Sequence, residues 1–145
     1  MATIQELLSR KPIDEIFAIS PDARLSEAAT LMIGNRIGVL VVRDLDGPMI
    51  GVLSERDIIR AVAEHAVDVA GMTVADLATQ DVETCTYKDG LIDVAKRMRK
   101  GQFRHMPVTD GSKLIGLVSM TDIFRYYIDY EPNQQAKLLA AYYVT

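Results

Sequence analysis

Apolar residues at Leu25, Ala28, Ala29, Met32 and Ile33 recur at i, i+3, i+4, i+7 and i+8, the stripe of an amphipathic helix. Leu91, Val94, Ala95 and Met98 repeat that stripe 66 positions later. Gly34-Asn35 and Gly101 stand where each helix should end in a left-handed residue. Shorter runs follow. Val39 to Val42 and Met49 to Leu53 flank Asp46-Gly47-Pro48, and Met106 to Thr109 and Leu114 to Val118 flank Asp110-Gly111. Turn residues between β-branched apolar runs predict strand–turn–strand. The first pair has almost no polar alternation, so both faces of that sheet are expected to be covered. A second helix should follow each pair. Ile58, Ile59 and Val62 mark its apolar side in the first copy, and Ile123, Phe124, Tyr127 and Ile128 in the second. A short strand should precede each first helix, at Ile16 to Ile19 and at Val82 to Thr86.

The doubling is also literal. Ile50-Gly51-Val52-Leu53-Ser54-Glu55-Arg56-Asp57-Ile58-Ile59-Arg60 returns as Ile115-Gly116-Leu117-Val118-Ser119-Met120-Thr121-Asp122-Ile123-Phe124-Arg125, identical at six of eleven positions. A repeat of this period means two copies of one supersecondary unit, each too small to bury a good core alone. Each copy reads strand, helix, strand, strand, helix, led by a brief helix at Thr3 to Leu7 and at Thr73 to Leu77, with four extra residues in the first copy. The expected fold class is α/β, of the α+β kind. Two βαββα repeats pack as a pseudo-twofold pair, sheets inside and helices outside. The expected division is repeat 1 over 1–70, repeat 2 over 71–130, and a tail helix over 131–145. Clefts between repeats are common sites for small ligands.

Composition narrows the function. No apolar run approaches the roughly 20 residues needed to cross a membrane, and the first ten residues lack the apolar stretch of a secretory signal. Cys85 is the only cysteine, so no intramolecular disulfide can form and the expected compartment is the cytoplasm. The net charge of −4 argues against a general polyanion binder. It is uneven: residues 1–72 carry −4 and residues 73–145 carry none, with Lys96, Arg97, Arg99, Lys100 and Arg104 clustered in the second half. That cluster reads as a solvated helix face or a local anion site. Nucleic-acid binding is not expected. One cysteine and two separated histidines give no metal-ligand spacing, and no residue sits in a recognisable nucleophile setting. His65 should face solvent, and Cys85 should be a small buried filler.

The repeated polar residues carry the chemistry. Ser54-x-x-Asp57 and Ser119-x-x-Asp122 each stand at a strand-to-helix junction. Serine at the N-cap with an acid three residues on is a capping box, which satisfies free amides of the first turn. The same geometry suits a ligand. A helix N-terminus presents N–H groups and a positive dipole end to a phosphate, and a nearby carboxylate can accept the hydroxyls of a ribose. Both readings stand at this level.

The pattern Gly-apolar-x-Ser-x-x-Asp, preceded by "RIGVLVV" or by "FRHMPV", resembles the CBS domain, named after cystathionine β-synthase, over roughly residues 3 to 128. These domains come in tandem pairs. The resemblance implies regulation rather than catalysis, with no catalytic cofactor and an adenosine-containing ligand such as AMP, ADP, ATP or NAD(H). S-adenosylmethionine is a further ligand of the family. By position it implies Asp122 at the ribose, Ser119 as the hydroxyl of the same motif, and Thr121, Arg104 and His105 toward phosphate. In the first copy Asp57 and Ser54 take those roles, and Arg56 replaces Thr121. Ala18-Ile19-Ser20 and Thr84-Cys85-Thr86 resemble the stretch that reads the adenine edge, which brings in Ile19 and Cys85. Gly38-Val39 stands where the second copy has Arg104-His105, so the better phosphate site is expected around Asp122.

The tail from Glu131 onward has no counterpart in the repeat. Leu138, Leu139 and Tyr142 suggest a short amphipathic helix, packed on its own domain or against another subunit. The family often dimerises, so the partners implied are adenine nucleotide, a second copy, and a separate regulated protein. The rival reading is a structural or oligomerisation module whose Ser-x-x-Asp pairs are caps alone.

Overall fold

The computed structural model describes residues 1–11 and 16–143. In chain order its first half holds α1 (Ile4–Arg10), β1 (Ala18–Ile19), α2 (Leu25–Asn35), β2 (Val39–Val42), β3 (Gly51–Ser54) and α3 (Glu55–His65). A 3₁₀ turn over Ala66–Gly71 leads to α4 (Val74–Leu77). The second half holds α5 (Leu91–Gly101), β4 (His105–Asp110), β5 (Lys113–Ser119), α6 (Met120–Tyr130), a 3₁₀ turn at Pro132–Gln134 and α7 (Gln135–Tyr143). The result is a mixed α/β protein with small sheets and helices, as its periodicities require.

Two compact units emerge, and they cut the chain differently from the expected 1–70 and 71–130. One is Met1–Asp14 with Glu83–Thr145, here called the split unit; the other is Glu15–Val82, the continuous unit. The leading helices are exchanged between the repeats. In the split unit Thr3 bridges Gly90, the Ile4 N–H donates to Asp89 and the Leu91 N–H donates to Ala2. In the continuous unit Arg24 bridges Thr73, the Val74 N–H donates to Ala23 and the Leu25 N–H donates to Met72. The physical reason lies in the short 3₁₀ connection. It delivers Val74 straight onto the core of the repeat it follows, leaving the equivalent place in the other unit to α1.

The core of the continuous unit joins Leu25, Ala28 and Met32 of α2 to Leu40, Val42, Leu53, Ala61 and Val74. β1 pairs parallel with β2 (Ile19 beside Val42), and β2 pairs antiparallel with β3 (Val39 opposite Ser54). All of β2 is buried, whereas β3 alternates between buried and half-buried positions, so the cover expected on both faces of the pair holds for β2 and not for β3. Three expected core residues are not buried. Ile33, Ile59 and Val62 are exposed, because α2 and α3 bury narrower faces, with Ala61 rather than Val62 turned inward on α3.

The split unit has a larger core. Ile4 and Leu7 of α1, Leu91, Val94, Ala95 and Met98 of α5, and Ile123, Tyr126 and Tyr127 of α6 surround Met106, Val108 and Val118. Leu138 of α7 is 1% exposed, so the tail packs on this unit, while Leu139 stays outside. Ile128, expected inward, is exposed. The strand expected at Val82 to Thr86 reduces to one parallel bridge, Cys85 to Val108. The β4–β5 loop is Gly111-Ser112, with φ +61° at Gly111, where a two-residue hairpin favours glycine. The left-handed helix ends fall one residue past the expected glycine or asparagine, at Arg36 (φ 54°) and Gln102 (φ 59°). Gly101 is fixed by contact instead, since a Cβ there would lie 2.1 Å from the Phe103 ring.

Candidate functional site

In both units the strand after the turn runs into a helix through a serine, and the same pair of hydrogen bonds forms. The Asp122 N–H donates to Ser119 Oγ at 3.0 Å, and the Ser119 N–H donates to Asp122 Oδ2 at 2.9 Å. In the continuous unit the Asp57 N–H donates to Ser54 Oγ at 3.3 Å and the Ser54 N–H to Asp57 Oδ2 at 2.8 Å. These are complete capping boxes. They fix each carboxylate by one oxygen and aim it beside the free amides of the first helical turn.

Sheet register then brings in the neighbouring strand. β4 sets His105 opposite Ser119, and the Met120 N–H donates to the Arg104 carbonyl at 2.8 Å. In the continuous unit Val39 lies opposite Ser54 and the Glu55 N–H donates to the Gly38 carbonyl at 2.9 Å. Gly38-Val39 therefore occupies the place of Arg104-His105. Arg104 and Thr121 are exposed and His105 is half-buried. Arg56 is exposed on the first turn of α3.

The surroundings of the two aspartates diverge. Lys11, just past α1, places Nζ 3.1 Å from Asp122 Oδ2 and donates to the Leu117 carbonyl at 2.8 Å. The two side chains are only 20% and 13% exposed, so this ion pair is shielded far better than a surface one. Asp57 has a looser partner: Arg60 NH1 is 3.6 Å from Oδ1, and its side chain is 64% exposed. Where the split unit opens Arg104 to solvent, the continuous unit folds the Glu55 carboxylate over Gly38, within 3.1 Å of where a Cβ would stand.

Ile19 pairs with Val42 and Cys85 bridges Val108, each three residues along the strand from the residue that faces the capping serine. Ile19 is half-buried, and its carbonyl accepts the Arg43 N–H. Cys85 is buried, its N–H donating to Pro107 and its carbonyl accepting the Thr109 N–H. The Cys85 backbone is thus engaged by the sheet. Burial, reinforced by the Asp89 carboxylate, pushes the Cys85 thiol up to about 12, so it stays protonated at neutral pH. Arg97 of the basic cluster turns inward. It bonds Glu83 at 2.6 Å, Asp89 at 3.4 Å and the Thr84 carbonyl, which makes it a staple rather than part of an anion surface. Among the described residues no group of three or more His, Cys, Asp or Glu is placed to hold a metal.

Lys11 is the residue that sequence reasoning missed. It stands where the two leading segments differ by four residues, so the repeat offers no counterpart to compare. Only its helix-end position and its charge were visible.

Comparison with known proteins gives a consistent result. The CBS domain family model matches residues 4–64 and 74–129. A CBS-domain protein from Agrobacterium tumefaciens is 32% identical, with a TM-score of 0.81 over 86% of this chain and 93% of that one. A putative signal-transduction protein with CBS domains from Burkholderia ambifaria is 29% identical, with a TM-score of 0.83 over 90% and 96%. CBSX2 in complex with AMP and the CBS domain pair of MJ0100 with 5′-methylthioadenosine and S-adenosyl-L-methionine share the fold at 22% and 23% identity, with TM-scores of 0.73 and 0.72. Among curated relatives, an uncharacterised 17.7 kDa protein of Acidianus ambivalens is 31% identical over 85% of this chain. The chain spans 74% of that relative, but 44% of one from Methanocaldococcus jannaschii and 33% of one from Thermofilum pendens.

Proposed function

We propose that this chain, which belongs to the CBS-domain family, is a regulatory protein that binds AMP, ADP, ATP or NAD(H) and signals its occupancy to a separate protein. The observation that carries this reading is the carboxylate geometry of Asp122. The Ser119 N–H and the Lys11 ammonium both meet its Oδ2. Its Oδ1 can then accept a ribose hydroxyl beside the amides of α6. Thr121, Arg104 and His105 then stand toward phosphate, while Asp57, Ser54 and Arg56 offer the equivalent set in the continuous unit. Ile19 and Cys85 back the two sites, with their backbones holding the sheet. Adenosine compounds bound to CBSX2 and to MJ0100 support the ligand class.

Regulation rather than turnover suits these groups, since Ser119 Oγ and Ser54 Oγ are each engaged as acceptors by the aspartate N–H of their own capping box. No helix among the described residues is long and apolar enough to cross a membrane. We place the protein in the cytoplasm and expect a homodimer formed through helix faces that leave Ile59, Val62 and Ile128 exposed. A ligand regulates only if it favours one arrangement over another.

The second reading, an oligomerisation module without a ligand, draws on the completeness of both capping boxes. Thermal unfolding with AMP, ATP and NADH separates the two. A ligand at about 100 times its Kd adds about 2.7 kcal/mol of stability. The expected result is a raised Tm with at least one adenine compound. No shift with any of them at millimolar concentration leaves the module reading in place.

A further inference from the structure

The two capping turns share a plan and carry different charge. Among the described residues Lys11, Arg104, Asp122 and Arg125 belong to the α6 turn, with a net charge of +2, and Glu55, Arg56, Asp57 and Arg60 to the α3 turn, with a net charge of zero. The difference extends to the whole units. The split unit, Met1–Asp14 with Glu83–Thr145, has 11 Lys/Arg and 9 Asp/Glu, a net +2. The continuous unit, Glu15–Val82, has 5 and 11, a net −6. The local cause is one pair of positions. Met120 and the exposed Arg104 face each other where the helix joins the strand end, and Glu55 and Gly38 do so in the other copy. Gly38 has no side chain, and the Glu55 carboxylate closes over it at 3.1 Å from the Cβ position. A phosphate approaching the α3 amides would meet that carboxylate and Asp57 together, with the exposed Arg56 and Arg60 partly offsetting them.

We infer that Glu55 and Gly38 determine the charge class of the ligand in the continuous unit: it takes adenosine compounds without a phosphate, such as a nucleoside, a thioether or a sulfonium cation. The split unit takes the phosphorylated ones. This rests on the adenosine reading above and assigns a different ligand class to each copy of the motif. Glu55 acts as a specificity residue through repulsion, which rejects the wrong ligand without any contact to the right one. Lys11 and Arg104 act through attraction on the other side.

The amides of Asp57 and Asp122 each bond a serine Oγ in their own turn, so their NMR signals report the two sites separately in the full chain. Titration with AMP should move the Asp122 signal at concentrations about tenfold lower than the Asp57 signal, the scale expected for charges a few ångströms apart near a surface. Titration with adenosine should remove or reverse that order. In Glu55→Gln the AMP-to-adenosine affinity ratio read at Asp57 should rise about tenfold, and Glu55→Met, which copies Met120, should do the same. Equal AMP response at both amides in the unaltered chain overturns the inference, as does an unchanged ratio in both variants. No response to either compound at either amide overturns the adenosine reading itself and takes this inference with it.

Discussion

In the continuous unit the edge of β3 is closed by backbone. Val52 and Thr79 exchange two hydrogen bonds, at 3.0 and 2.9 Å, across the bare Cα of Gly51. In the split unit the matching carbonyl, Leu117, accepts a lysine ammonium instead, and that ammonium also grips Asp122. One fold position is thus filled by main chain in one copy and by a charged side chain in the other. Among the described residues Asp122 is thereby tied to the end of α1, whereas Asp57 pairs with Arg60 of its own helix. The cores differ in the same direction. The split unit adds α7 and a ring cluster in which Phe124 meets Tyr142 edge-on at 5.8 Å. The continuous unit has no such cover and leaves Ile59 and Val62 exposed. The two copies share one frame and differ in the apolar residues that cover it and in the sign of their charge.

Substitutions that strike one unit alone test that contrast, and the largest should come from the tail. Leu138→Ala opens a cavity in the split unit and should cost about 2–5 kcal/mol. Hydrogen exchange should show the loss in α5 and α6 while α2 and α3 keep their protection; an equal loss in both would mean the units do not unfold separately. Gly51→Ala is the matching probe of the continuous unit. Its Cβ would sit 2.3 Å from the Thr79 carbonyl oxygen, a backbone atom that cannot step aside cheaply. A cost of about 1–3 kcal/mol is expected, with exchange rising at Val52 and Thr79. The smallest effects should come from the left-handed helix ends. Arg36→Gly and Gln102→Gly each relieve a strained φ and should stabilise by up to about 1 kcal/mol, with part offset by the freer unfolded chain. A lowered Tm for both would show that these side chains contribute more than their backbone strain costs.

Much of this was legible in the sequence because it is local. Period-3.6 stripes placed α2 and α5, β-branched runs placed β2 to β5, and the repeated Ser-x-x-Asp placed both capping turns. The equivalence of Gly38-Val39 with Arg104-His105 followed from aligning the copies, and the strand register reproduces it. What escaped was non-local. Nothing in Thr3 to Leu7 says that this helix packs beside Gly90 rather than Arg24, since both leading segments carry the same pattern. Apolar spacing alone also could not tell the buried Ala61 from the exposed Val62, because helix rotation is set by the partner surface. The contacts of Lys11 and Glu55 escaped for the same reason. They depend on what folds against each side chain, a carbonyl and a carboxylate for one, a bare glycine for the other.

Calorimetric titration of AMP into the full chain and its Asp122→Ala variant distinguishes a ligand site at the Asp122 turn from a helix cap alone. Loss of the cap alone should lower the stability of the unliganded protein by about 1 kcal/mol. The account predicts that loss together with an AMP affinity reduced at least about tenfold, the scale of one charge-assisted hydrogen bond. A variant that is less stable yet binds AMP as tightly as the unaltered chain would contradict it.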